Sequence, residues 1–339
     1  MPTLASGYYQ ETFMRIVMMG TGTFAEPTLV ALLAGPDQVV GVFTQPDREG
    51  VHKRGSTRQV GRGMKEIAAE KGVPVFQPEK VNHPDGVAML RSLNPDMLVV
   101  AAYGQILSKE VLAIPTQGAI NVHGSLLPKY RGAAPVAHAI LNGETETGVT
   151  IIRMSAGLDA GEMLAKASVP IQDVTAGELE AKLAPIGAKL AVETVARIKA
   201  GPISGEKQDP ALVTKAPKLT KEMGLIDWTK PAEIVLRQIR AMQPWPTSYT
   251  FFHRDGKPAL RFVIAKATTL DGFWLPEFDR GMPGTIALGP GGSLWVQSSN
   301  ATAVRILELQ PAGKKRMAAE EFLRGHPLKE GDRFGAEVL

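Results

Sequence analysis

Apolar positions through residue 200 fall into short unbroken runs separated by amphipathic stretches. Arg15–Met19 (RIVMM), Gln38–Thr44 (QVVGVFT) and Asp96–Ala102 (DMLVVAA) are runs of the kind that strands of a parallel sheet show when both faces are covered. Val73–Phe76, Ala119–His123 and Val149–Met154 complete the predicted strands. Between them, helical spacing covers Ala25–Leu33, Met64–Lys71, Asp85–Leu93 and Ala134–Leu141, and a long helix over Ala176–Ala200 closes the region. Strands alternating with helices predict βαβ units in a doubly wound, mostly parallel, Rossmann-like α/β domain. The texture then changes. Ile203–Thr220 has little periodicity and reads as a connector. A helix over Ala232–Met242, with Ile234, Leu236, Ile239 and Met242 expected inside, precedes five short strands divided by Gly/Pro turns. These are Ser248–His253, Ala259–Ala267, Gly284–Leu288, Leu294–Gln297 and Ala303–Leu309, the pattern of a small, OB-like β-barrel. The expected division is therefore a leader at 1–13, an α/β domain at 14–204, a connector at 205–222 and a barrel domain at 223–339.

Composition narrows the chemistry. The 339 residues include no cysteine, which excludes disulfides, a thiolate nucleophile, Cys-ligated zinc and iron–sulfur clusters. The six histidines show no metal-binding spacing, so no metal is expected. No apolar run approaches the roughly 20 residues of a membrane span, and the N-terminus has neither a signal nor a transit pattern, so a cytoplasmic location without membrane partners is expected. Residues 1–205 carry 19 basic and 19 acidic side chains, whereas 206–339 carry 19 and 15, which places the whole net charge of +4 in the last third. A basic C-terminal third suits a polyanion, although an imbalance of this size can also be incidental.

Three local patterns carry candidate chemistry. Gly20-Thr-Gly22-Thr-Phe-Ala25 lies between a strand and a helix, as a dinucleotide-binding turn does. The second strand, however, ends in Thr44-Gln45-Pro46 without the acidic residue that holds a ribose, so a tight structural turn competes with a nicotinamide-dependent dehydrogenase. Asp47–Lys65 holds six basic residues among four glycines beside a strand end, fitting either a phosphate-binding loop or a solvated one. In Ala119–His123, alternation puts Asn121 and His123 on one face at the carboxyl end of a strand, beside the Gly/Pro-rich Ser125–Pro135. Asp159, within Gly157-Leu-Asp-Ala-Gly161, joins them only if the fold brings its turn to His123.

The ordered set Asn121-x-His123, SLLPKYRGAAP and LDAG resembles the formyltransferases that use 10-formyltetrahydrofolate. Thr44-Gln-Pro-Asp47, Gly72-Val-Pro-Val-Phe-Gln-Pro78 and Ala216-Pro-Lys-Leu-Thr220 resemble the branch that acts on methionyl-tRNA. So do Ile226-Asp-Trp228, Gln243-Pro-Trp-Pro246 and Leu309-Gln-Pro-Ala-Gly-Lys-Lys315. The resemblance runs from about Arg15 to Phe334. It implies formyl transfer to the methionyl α-amine of initiator Met-tRNA, with Asn121, His123 and Asp159 catalytic and Ser125, Leu126, Leu127 and Pro128 lining the formylfolate pocket. It also implies tRNA contacts from the basic loop (Arg54, Arg58, Arg62) and from the barrel (Lys314, Lys315). No metal is implied, and a monomer is expected. The alternative is a relative acting on a sugar nucleotide or another small amine. Two departures stand out: the loop 48–65 is longer than the family's, and Met14 is the expected initiator behind an extra leader.

Overall fold

A computed structural model describes residues 13–47, 63–270, 273, 275–279, 281–299 and 302–338. The N-terminal strands are β1 (Arg15–Gly20), β2 (Gln38–Phe43), β3 (Val75–Phe76), β4 (Met97–Ala101), β5 (Ala119–His123), β6 (Arg131–Gly132), β7 (Glu146–Arg153) and β8 (Met163–Pro170). Their helices are α1 (Glu26–Ala34), α2 (Met64–Glu70), α3 (Pro84–Ser92), α4 (Lys109–Leu112), α5 (Pro135–Leu141) and α6 (Ala176–Ala200). Seven strands form one sheet in the order β3-β2-β1-β4-β5-β7-β8. Pairing is parallel from β3 through β5 and antiparallel at β5–β7 and β7–β8.

The apolar runs are continuous because the sheet is covered twice. Ile16 and Met18 of β1 join Met97, Val99, Ile120 and Val122 in the core under α1, α5 and α6, while Val17, Met19, Leu98 and Val100 fill the opposite face. The 25-residue α6 starts at a capping box in which Thr175 and Glu178 satisfy each other's backbone N–H. Strand β8 is absent from the predicted set. It lies at the sheet edge and, beyond Leu164, alternates partly buried with exposed residues, including Lys166 and a terminal Pro170, features that protect an edge but weaken an apolar signature.

The C-terminal part holds β9 (Lys215–Ala216), α7 (Ala232–Ala241), β10 (Ser248–His253), β11 (Leu260–Thr268), β12 (Ile286–Gly289), β13 (Ser293–Ser298), β14 (Thr302–Pro311), β15 (Met317–Ala318), α8 (Ala319–Gly325) and β16 (Arg333–Gly335). Strands β12-β13-β14-β11-β10-β16 pair in that order, and a Thr285–Arg333 bridge brings the two edges together into a nearly closed barrel. Phe262, Phe322 and Phe334 pack ring to ring inside it. Helix α7 departs from its expected inner face. Ile234 is exposed, and Ala232, Val235 and Ile239 are the buried positions, because the helix packs on the barrel through Val235 and Ile239. Ala241 and Met242, at its end, enter the α/β core instead. The 205–222 connector is not a free tether. Its Ala216 and Leu219 are buried, and β9 pairs in parallel with β6 of the α/β domain. No helix among the described residues is long and apolar enough to cross a membrane.

Candidate active site

Every parallel strand of the sheet ends on one edge, and the loops that follow β1, β2 and β4 are tied together there. The Thr21 hydroxyl lies 3.3 Å from the Thr44 hydroxyl and accepts the Gln45 N–H at 3.2 Å. The Gln45 amide donates to the Tyr103 carbonyl at 2.9 Å. In the glycine turn, a Cβ on Gly20 would lie 2.6 Å from the Ala25 Cβ and 2.9 Å from the Ala101 carbonyl oxygen. The Gly20 position thus serves the close passage of β1 past α1 and β4, the structural reading of the motif.

Next to this edge, β5 presents Asn121 and His123 on the face opposite Ile120 and Val122, since those two belong to the core under α6. His123 is buried, and both of its ring nitrogens face oxygen acceptors. Nε2 lies 2.9 Å from the Tyr130 carbonyl, so it carries a hydrogen and donates. Nδ1 lies 3.6 Å from Asp159 Oδ2. That carboxylate also accepts the Gly132 N–H at 2.9 Å through Oδ2, and the Asn121 amide N–H at 3.3 Å through Oδ1. Two hydrogen-bond donors, one from β5 and one from the Gly132 backbone, and the His123 ring therefore converge on one carboxylate whose side chain is 11% exposed. The Asn121 amide retains a second N–H, and Nδ1 is the His123 nitrogen on the Asp159 side.

Asp159 reaches this point by an unusual turn. Its φ is +47°, a left-handed conformation that aspartate tolerates better than most residues. A Cβ on Gly161 would meet the Arg153 carbonyl oxygen at 1.6 Å, so only glycine allows this turn to fold back on the end of β7. Tyr130, which supplies the carbonyl to His123, also has positive φ, at +64°. Its hydroxyl donates to Glu144 Oε1 at 2.7 Å, and Glu144 is in turn paired with Lys129 Nζ at 3.0 Å. Burial and then this carboxylate push the Tyr130 phenol up to about 12, while the phenolic hydrogen bond holds the Glu144 carboxyl below the usual range.

The expected pocket residues divide. Ser125 is fully buried, its hydroxyl donating to the Lys129 carbonyl at 2.7 Å, and Leu127 packs with Ile152 and Met163. Leu126 and Pro128 are partly exposed, so the accessible side chains of this loop are these two. Lys314 and Lys315 are exposed on the turn between β14 and β15. Arg54, Arg58 and Arg62 lie outside the described residues. Tyr130 and Gly132 sit inside the motif already singled out in the sequence, but their contacts are backbone contacts that side-chain chemistry does not announce. Gln208, whose amide donates to the Asp159 and Gly161 carbonyls at 2.7 and 2.8 Å, falls in the segment read as a connector and carries no sequence signal at all.

Comparison with known proteins places these features in context. The formyl transferase family pattern matches residues 14–195, and that of the formyl transferase C-terminal domain matches residues 218–327. A Magnetococcus marinus protein named methionyl-tRNA formyltransferase is 45% identical over 333 residues, covering 96% of this chain and 99% of its own. Its namesake in Bacillus subtilis is 43% identical over 323 residues, covering 95% and 98%. Among solved structures, the sugar 3N-formyltransferase WlaRD superposes with a TM-score of 0.64 at 18% identity, covering 90% of this chain and all of that one. A Helicobacter canadensis N-formyltransferase gives a TM-score of 0.62 at 18% identity, covering 87% of this chain and 99% of the other. At that identity the likeness is one of fold.

Proposed function

The chain belongs to the formyl transferase family in both its α/β and its barrel regions, and from that premise we propose that it formylates initiator Met-tRNA. The observation that carries this reading is near-complete coverage, at 43–45% identity, of relatives named for that activity. The convergence of Asn121, His123 and Asp159 at a strand end supports it, because three polar side chains gathered at the end of a sheet strand suit chemistry better than packing.

10-Formyltetrahydrofolate is the co-substrate in this reading and supplies the formyl group. Tyr103, on the same sheet face as Val100, has a buried hydroxyl with no hydrogen-bond partner, and Ile106 just beyond it is 73% exposed. An exposed apolar side chain in the loop after β4 suits contact with a flat heterocycle. Leu126 and Pro128 are the partly exposed side chains of the Ser125–Pro128 loop.

The chain's residues then divide the work. The α-amine of an aminoacyl ester needs little activation, since free α-amines titrate near about 7.7–8.0. As the amine adds to the formyl carbon, negative charge gathers on the formyl oxygen, and the free N–H of Asn121 is the donor that meets it. Nδ1 of His123 takes the proton that the adding amine sheds and passes it to the departing folate nitrogen, while its Nε2–H stays anchored on the Tyr130 carbonyl. Asp159 fixes the Asn121 amide, the Gly132 backbone and the His123 ring at once, and its charge balances the ring whenever Nδ1 is protonated. The basic loop with Arg54, Arg58 and Arg62, together with Lys314 and Lys315, contacts tRNA phosphates.

The deciding experiment is formylation of charged initiator tRNA with 10-formyltetrahydrofolate, run beside elongator Met-tRNA and an amino-sugar nucleotide. Turnover of initiator Met-tRNA far above both controls is expected. Preference for the sugar nucleotide overturns the reading.

A further inference from the structure

The chain between the two domains makes two hydrogen-bonded connections to the catalytic constellation. It is stapled at both ends of the stretch that does so. Glu206 exchanges backbone hydrogen bonds of 2.8 and 2.9 Å with Met163 at the start of β8, and Lys215–Ala216 pairs with Arg131–Gly132. Between the staples, the 3-10 turn Pro210–Leu212 is capped by the Asp209 side chain, which accepts the Ala211 N–H.

Within that stretch Gln208 uses its whole amide. Its oxygen accepts from Arg131 Nε at 2.9 Å, and its nitrogen donates to the carbonyls of Asp159 and Gly161. Thr214 Oγ1 accepts the Tyr130 N–H at 2.8 Å. These two anchors fall on the two non-glycine residues of the site with left-handed backbone, Asp159 and Tyr130. Such conformations cost free energy and persist only where the surroundings fix them. One of them aims the Asp159 carboxylate and the other aims the carbonyl that orients His123. A third link runs through Gly132, which donates to Asp159 and passes so near the connector that a Cβ would lie 2.4 Å from the Ala216 carbonyl oxygen.

We propose that the interdomain connector completes the active site, with Gln208 and Thr214 as positioning residues that hold the Asp159 turn and the Tyr130 carbonyl in their catalytic geometry. This rests on the assignment of His123 and Asp159 as the reacting groups. It makes the connector more than a tether for the barrel, because the short segment that pairs with β6 through its backbone also carries, in Gln208 and Thr214, the side chains that align the catalytic groups.

Two near-isosteric substitutions in the full chain test it. Gln208→Glu keeps the acceptor for Arg131 but turns an oxygen toward two carbonyls. Thr214→Val, at an exposed position that tolerates change, removes the acceptor for the Tyr130 N–H, and Thr214→Ser restores it. Under saturating Met-tRNA and formylfolate, kcat is expected to fall roughly tenfold in the first two variants, because small misplacements of reacting groups cost one to two decades. Both KM values should stay within about twofold, and Thr214→Ser should recover wild-type kcat. A readout independent of turnover is the 15N resonance of His123 Nε2, which should shift in Thr214→Val and return in Thr214→Ser. Should Gln208→Glu fail to fold, the Thr214 pair and the resonance still decide. Unchanged kcat with an unshifted resonance overturns the proposal, as does a loss confined to KM for Met-tRNA, which would make the connector a tether alone. If the wild-type chain itself does not formylate Met-tRNA, the activity assignment has failed, and the resonance still reports the positioning.

Discussion

Replacing Asp159 by asparagine tests the geometry of the site more sharply than removing the side chain. The carboxylate receives hydrogen bonds from Asn121 Nδ2 at 3.3 Å and the Gly132 N–H at 2.9 Å, with His123 Nδ1 at 3.6 Å, so both of its oxygens face donors. An asparagine has one oxygen and one NH2 group. If its oxygen stays on Gly132 and His123, its NH2 confronts the Asn121 amide. If it flips, the NH2 confronts the Gly132 N–H and the ring. Either orientation sets donor against donor in a site whose Asp159 side chain is 11% exposed. Losing a hydrogen bond to a charged acceptor costs about 1.5–3 kcal/mol, and a buried donor left unpaired costs about 1–3 kcal/mol. If two-thirds or so of the combined penalty falls on the transition state, the barrier rises by about 3 kcal/mol, roughly two decades in rate. Asp159→Asn is therefore expected to lower kcat/KM for Met-tRNA formylation by about 10² while preserving the fold by circular dichroism. The assay follows formyl-Met-tRNA in initial-rate experiments that vary each substrate in turn. An activity within threefold of wild type would show that Asp159 does not organise the reaction.

Other consequences follow from the same coordinates. His123→Ala and Asn121→Ala should each reduce kcat/KM by about 10² or more, the scale of losing a general acid–base or an oxyanion donor, and near-normal turnover in either removes that residue from the mechanism. Half-buried Glu180 on α6 has its carboxyl pushed up by burial to about 7. A folded-state value above the unfolded one favours the protonated form, so the stability this group contributes is complete below about 4.5 and is lost as pH rises through 7. Glu180→Gln should accordingly raise Tm by a few degrees at pH 8, corresponding to about 1–2 kcal/mol once solvent access is allowed for, and leave it nearly unchanged at about pH 4; equal shifts at both pH values would contradict this. The affinity for Met-tRNA should fall linearly on a log–log plot against salt, with a shallower slope in the double variant Lys314→Ala/Lys315→Ala; an identical slope removes those lysines from the interface. Neutralising Arg54, Arg58 and Arg62 together should raise KM for tRNA and spare KM for formylfolate, and the reverse pattern would make the loop a cover for the folate.

Much of the architecture is written locally. Past their first residues, β1 and β2 carry no polar side chain, nor does β4 anywhere, because each of these residues is covered on one face or the other, so a parallel sheet buried on both sides declares itself residue by residue. The pairing of Asn121 with His123 is equally local, since a strand places alternate side chains together. Helix α7 shows where such reasoning loses its hold: its spacing suited Ile234 as an inner residue, but the helix serves two cores, and the direction of the barrel turned Val235 inward and left Ile234 exposed. Edge strand β8 was silent because only its first two residues are buried and every second one after them faces water.

The arrival of Asp159 at His123, across 36 residues of chain, depends on the antiparallel return of β7 beside β5 and on a turn that only Gly161 permits. What tertiary structure alone decided lies in the backbone: the Tyr130 carbonyl, the Gly132 N–H, and the carbonyls of Asp159 and Gly161 held by Gln208. Every residue carries the same backbone N–H and C=O, proline's missing donor aside, so no residue type marks the ones a site will use. Their selection is settled only when separate segments are packed against one another. The sequence by itself therefore determined most of the sheet, the barrel and the polar side chains of the candidate site, whereas the groups that aim those side chains came into being only with the fold.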